Sequence, residues 1–180
     1  MLDFSNQKVG IFIDVENLYY SAKNLYNAKV NFRTLLPDII KNRKLIRAIA
    51  YVIRTPTGEE KPFFEALLAQ GIEIRAKDLQ IYNEVKKADW DVGIAVDMMK
   101  MIPYLDTFIL LSGDGDFLPL VECLQNHGKI VEVVAFDKTT SSKLKERADK
   151  FFDIGSSKKY LTFQKSSKKG KKIKIKVWKV

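Results

Sequence analysis

The stretch TFILLSGDGDFLPLVECL, residues 107–124, ends a continuous apolar run with Asp114 and Asp116, two carboxylates separated only by Gly115. Beyond them Phe117, Leu120, Val121 and Leu124 fall at helical spacing, so the acids sit where a buried strand gives way to an amphipathic helix. Other acids occupy comparable places: Asp14 closes the apolar run VGIFID, and Asp89 and Asp91 open the helical pattern KADWDVGIAVDMMKMI. Clustered like charges raise each other's pKa unless a cation lies between them. Carboxylate oxygens are what hard divalent ions such as Mg²⁺ select, and a bound ion can activate water and stabilise charge on a phosphodiester. Metal-assisted phosphodiester chemistry is therefore the candidate, provided that the three segments converge.

Each acid also has a structural reading. Asp116 could cap the helix that follows it, Asp114 could be a turn residue between two glycines, and Asp91 could favour the positive end of its helix. Asp14 is expected to make no helix cap before Glu16 and Asn17. Convergence from three segments is harder to explain by capping, which favours a metal site. Asp97 lies six residues after Asp91, about 240° around a helix and about 9 Å along it. The two do not readily share an ion, so a structural hydrogen bond is expected for Asp97. Asp89 ranks below Asp91 because it precedes the first helical turn.

The elements that must position these acids alternate along the chain. Strands are expected at 9–14, 45–53, 72–79, 107–112 and 130–136, the third with the polar alternation of a strand near a sheet edge. Helices are expected at 16–26, within NFRTLLPDIIKN, from about Glu60 to Gly71, at 88–101, after Asp116 and over SSKLKERADKF. Such alternation with apolar strands gives an α/β fold, a parallel sheet with helices on both faces. Its functional crevice lies outside the carboxyl ends of the strands, where Asp14 and Asp114 fall.

Composition narrows the chemistry. At 180 residues and 46% hydrophobic, the chain suits one domain with a short appendage. Cys123, the single cysteine, excludes an internal disulfide and a Cys-rich zinc cluster; it reads as a buried small residue in a reducing compartment. His127 is the only histidine, which excludes a histidine metal cluster, and beside Gly128 it reads as a helix end where it can cap carbonyls. MLDFSNQKVG does not resemble a secretory leader, and no apolar run reaches membrane-spanning length, so a soluble cytoplasmic protein is expected. Ten of the 31 Lys and Arg lie beyond Asp153 and none of the 22 Asp and Glu does. A nearly neutral domain, 1–156, thus bears a Lys-rich extension, 157–180, suited to a polyanion. Within it KIKIKVW could be an edge strand or an arm that orders on a partner.

Four segments carry a resemblance: FIDVENLYYSA, KADWDVGIAVDMM, LLSGDGDFLPLVECLQNHGKIVEVVAF and SSKLKERADKFFDI. Together they resemble the NYN domain of the LabA-like group, in the PIN-like nuclease superfamily, over about Val9 to Ile154. The distinctive motifs are D-x-x-N at 14–17 and S-G-D-x-D-F at 112–117. The resemblance implies a Rossmann-like (PIN-like) parallel sheet and a Mg²⁺- or Mn²⁺-dependent ribonuclease leaving a 5′-phosphate and a 3′-hydroxyl. It maps the family's acidic positions onto Asp14, Asp91, Asp114 and Asp116, with Asn17 as a polar partner.

Three functions follow for comparison. In the first, RNA is hydrolysed by a metal-activated water, with backbone contacts from Lys86, Lys87 and the extension. Tyr19, Tyr20 and Trp90 are stacking candidates there, although core packing is the commoner role for such rings. In the second, the chain is a non-catalytic RNA-binding or regulatory NYN module. In the third, a phosphotransfer domain, an aspartate after the first strand is the nucleophile; VEN after Asp14 lacks the D-x-D pattern, and no P-loop is present. The sequence leaves room for a homodimer and gives no reason to expect a membrane partner.

Overall fold

A computed structural model describes residues 5–82, 85–87 and 89–163, with backbone alone for 80–82 and 85–87. Along the chain come β1 (Lys8–Asp14), α1 (Val15–Tyr26), β2 (Ala28–Val30), α2 (Phe32–Ile40), β3 (Lys44–Arg54), α3 (Lys61–Leu68), β4 (Glu73–Asp78), β5 (Gln80–Tyr82) and β6 (Val85–Lys87). They are followed by α4 (Asp91–Lys100), β7 (Thr107–Leu111), α5 (Leu118–Asn126), β8 (Ile130–Ala135), α6 (Ser142–Arg147), β9 (Lys150–Asp153) and β10 (Leu161–Phe163).

Six strands form one parallel sheet in the order β4-β3-β1-β7-β8-β9. The apolar runs become its central strands because both faces are covered. On one face Ile11, Ile13, Ala50 and Ile109 pack under α1, α2 and α3 through Leu18, Leu35 and Leu67. On the other, Phe12, Tyr51, Phe108 and Leu110 pack under α4, α5 and α6 through Ile94, Val121 and Leu144. This is the Rossmann-like three-layer arrangement. The chain runs outward from β1 in one direction, returns, and runs outward from β7 in the other. The switch point therefore lies between β1 and β7, the place where such sheets bind ligands.

The polar-alternating strand β4 is an edge strand, as its pattern predicts. One expected helix is shorter than its sequence suggests. SSKLKERADKF is helical only over Ser142–Arg147, because Ala148 turns to extended backbone at ψ 141°. Asp149 then exchanges hydrogen bonds with Val131, its N–H with the carbonyl and its carboxylate with the N–H, and starts β9. Two small antiparallel pairs, β2 with β10 and β5 with β6, lie apart from the main sheet. Cys123 is half-buried rather than buried, and His127 ends α5 with Nδ1 2.8 Å from the Cys123 carbonyl oxygen.

The described chain stays with the fold past Ser156. Tyr160 and Leu161 are buried, Asn31 donates its N–H to the Tyr160 carbonyl at 2.8 Å, and the Tyr160 hydroxyl donates to Asp38 at 2.8 Å. Residues 164–180, which include KIKIKVW, lie outside the described residues, as do the side chains of Lys86 and Lys87. Among the described residues no helix is long and apolar enough to cross a membrane.

Candidate metal centre

The parallel register pairs Ile13 with Leu111, so the next residue of each strand, Asp14 and Ser112, emerges at the same edge. The Ser112 hydroxyl donates to Asp14 Oδ2 at 3.0 Å, and the Asp114 N–H donates to the same Ser112 oxygen at 3.2 Å. Asn17 ties the two strand ends together from α1, its Oδ1 accepting from the Gly113 N–H at 3.0 Å. The loop carrying Asp114 lies tightly against the segment after β8. A Cβ on Gly113 would stand 2.8 Å from Thr140 Oγ1, so only glycine lets the two backbones approach.

Asp14 corrects one expectation. It does cap α1: its Oδ1 accepts from the Asn17 N–H at 3.2 Å, satisfying a donor that the first helical turn leaves free. Both carboxylate oxygens are thus engaged in a group that is 9% exposed. Burial pushes its carboxyl above the usual range, with Asp114 adding repulsion, while the Asn17 and Ser112 hydrogen bonds pull the other way. Asp114 in turn accepts from the Asp116 N–H at 3.0 Å, opening the short helical turn before α5.

Carboxylate oxygens of Asp91, Asp114 and Asp116 come within 4.8 Å of one another. Asp14, Asn17, Asp91 and Asp114 line one small cleft of about 180 Å³. Burial, then the charges of Asp14, Asp114, Asp89 and Asp116, pushes the Asp91 carboxyl up to about 6. Opposite ligands of an octahedral Mg²⁺ stand about 4.2 Å apart. The trio is therefore close to a one-ion donor set, all oxygen, and no lysine or arginine lines the cleft among the described residues. These residues fit a hard divalent cation.

Helix α4 delivers Asp91 from the far side of the cleft, and its seat is specific. Trp90 Nε1 donates to the Val52 carbonyl at 2.9 Å, and Lys77 stands 4.3 Å over the indole while donating to the Asp89 carbonyl. Trp90 is thus part of the frame rather than an open stacking face. Asp97 makes the structural bond expected of it, accepting from the Tyr51 hydroxyl at 3.0 Å, and Arg75 lies 3.8 Å away. Burial and the Asp97 charge together hold that tyrosine in its neutral form.

Glu16, absent from the acids that the strand ends and helix starts pick out, lines the cleft too. Burial, followed by Asp14 and Asp89, pushes its carboxyl upward. Its position two residues after a strand-ending acid was the available signal. Asp89 lines the same cleft from just before α4.

A parallel sheet with an acidic cleft at its switch point defines a Rossmann-like domain with a candidate site for a divalent cation. Residues 8–155 match the NYN domain, and the chain belongs to that family, within the PIN-like nuclease superfamily. It is similar to the Low amplitude and bright protein LabA of Synechococcus elongatus, with 24% identity over 88% of this chain and 89% of that protein. An uncharacterized protein of Methanocaldococcus jannaschii is 31% identical over 51% of this chain and 35% of its own length. The crystal structure of a protein of unknown function from Vibrio parahaemolyticus superposes with a TM-score of 0.81 at 32% identity. That match covers 90% of this chain and all of the other.

Proposed function

We propose that this protein is a divalent-metal-dependent ribonuclease that hydrolyses RNA phosphodiesters, with Mg²⁺ or Mn²⁺ at the acidic cleft. The observation that carries the reading is the meeting of Asp91, Asp114 and Asp116 within 4.8 Å at the sheet's switch point. A bound divalent ion supplies an acidified water and stabilises charge on the phosphate. Asp91, Asp114 and Asp116 would hold that ion. Asp14 lines the same cleft, keeps a free lone pair on each hydrogen-bonded oxygen and so would complete the acidic set, while it orients Ser112 and through it the Asp114 backbone. Asn17 fixes the loop through the Gly113 N–H and lines the cleft as a polar partner of the acids. The proposal includes RNA as partner and a cytoplasmic location, where a half-buried Cys123 stays reduced.

The test is cleavage of a generic single-stranded RNA by the purified full chain in Mg²⁺, in Mn²⁺ and in chelator. Cleavage with either ion and none in chelator is expected. RNA binding with no cleavage under any ion would overturn the catalytic reading in favour of a binding module.

A further inference from the structure

A second cavity, about 650 Å³, opens beside the acidic cleft and shares Glu16 and Tyr20 with it. Its floor is aromatic: Phe32 is buried, Phe63 lies 6.4 Å from it and Phe64 6.2 Å from Phe63, centroid to centroid. Tyr20 stands at the junction of the two cavities, 54% exposed. Tyr19 supports it edge-on at 5.4 Å, and Lys23 lies 5.5 Å over the Tyr19 ring. A half-open tyrosine between an aromatic floor and a carboxylate cluster is not explained by packing of the core.

The charge around this cavity selects its occupant. Glu16, Glu59 and Glu60 lie on its wall against Lys29, the single cation among the described lining residues. Glu60 is fixed by the N–H and hydroxyl of Thr55, both at 2.8 Å. Such a wall disfavours a phosphate and tolerates a neutral, flat, polar-edged group. We infer that the cavity takes one unpaired nucleobase of the RNA, stacked on Tyr20, next to the phosphate that enters the acidic cleft. The inference rests on the ribonuclease reading and deepens it: a base inside a duplex would have to be unstacked and unpaired to enter, at a cost of a few kcal/mol, so the site favours single-stranded RNA. Aromatic platforms of this kind bind bases without needing a particular sequence.

Two measurements on the full chain test it. Neutral adenosine and cytidine, added at millimolar concentration in chelator, should shift the ring resonances of Tyr20, Phe63 and Phe64 and leave those of Tyr104 in place. In the same chelator buffer, where no cleavage is expected, Tyr20→Ala should weaken binding of single-stranded RNA roughly fivefold or more, the loss of one base–aromatic stack, whereas Tyr20→Phe should retain it. Blunt duplex RNA should bind more weakly than single strands and be indifferent to Tyr20→Ala. Nucleosides that move no cavity resonance, or a Tyr20→Ala variant that binds single strands as the parent does, would overturn the inference and leave an apolar protein side chain as the occupant. Nucleoside binding needs neither metal nor cleavage. Failure of the ribonuclease reading, which shows as absent metal-dependent cleavage, is therefore distinguishable from failure of the base site.

Discussion

The Ser112 hydroxyl donates to Asp14 Oδ2 across 3.0 Å, joining the ends of two parallel strands that lie 98 residues apart in sequence. Through this contact a buried carboxylate and the loop carrying Asp114 and Asp116 are set as one unit. It also explains how Asp14 remains near a negative cluster while nearly sealed from solvent: it is a helix cap and a strand clip at once.

Ser112→Ala should expose that dependence. The substitution leaves one Asp14 oxygen buried without its donor, a loss of about 1–3 kcal/mol. Chemical denaturation of the metal-free protein should show a lower midpoint, and metal titration a weaker affinity because the Asp114 loop loses its anchor. Unchanged stability would remove this hydrogen bond from the framework.

Asp114→Asn should separate shape from charge. Asparagine retains an oxygen to accept from the Asp116 N–H but removes one of the charges acting on Asp91. Metal affinity and RNA cleavage should fall at least tenfold, while the melting temperature without metal stays level or rises, because repulsion is relieved. A variant that cleaves as the parent does would take Asp114 out of the mechanism.

The sheet was legible because β1, β3, β7 and β8 are apolar runs closed by turn signals, and the edge position of β4 because its residues alternate. The acids were legible as strand ends and helix starts. What escaped depends on pairings distant in sequence. β9 follows a helical pattern and is drawn into the sheet only by Asp149 and β8. The three-residue strand β2 has no periodicity of its own to read. The cap made by Asp14 was misread because Val15 begins a helix with no intervening loop. Tyr51, the partner of Asp97, sits mid-strand in an apolar run and gives no sign of its hydroxyl's role.

The acidic centre should also make metal-free stability depend on pH with an unusual sign. A carboxyl whose pKa is higher folded than unfolded favours the folded state when protonated. For Asp91 that contribution is complete below its ordinary value of 3.8 and is lost as pH rises through about 6. Asp14, also raised, acts in the same direction. Glu73, held low by Arg47, acts oppositely and loses its contribution as pH falls. Between about pH 5 and pH 7 the denaturation midpoint without metal should therefore fall with rising pH. Asp91→Asn should flatten that slope, and saturating Mg²⁺ should reverse it by favouring the ionised carboxylates. A parent protein whose midpoint is level across this window, with and without Mg²⁺, would contradict the electrostatics of the cleft.

The C-terminal lysines can be divided by where the described fold ends. Residues 157–163 belong to it: Tyr160 and Leu161 are buried, β10 pairs with β2, and Lys159 and Tyr160 both engage Asp38, the first at 2.7 Å. Removing residues 157–180 should therefore lower the melting temperature by several degrees through loss of core contacts. Removing only 164–180 takes away eight lysines and no acid. If those lysines serve as a nonspecific RNA contact, each phosphate they neutralise contributes about −0.7 to the slope of log affinity against log salt on single strands. The shorter truncation should then melt like the full chain, bind RNA more weakly at low salt with a flatter salt dependence, and keep its metal requirement. Turnover at saturating RNA should be nearly unchanged, since the removed segment contains no carboxylate ligand. A marked fall in melting temperature would instead make KIKIKVW an integral strand, and a full-length salt slope after truncation would refute the role assigned to its charge.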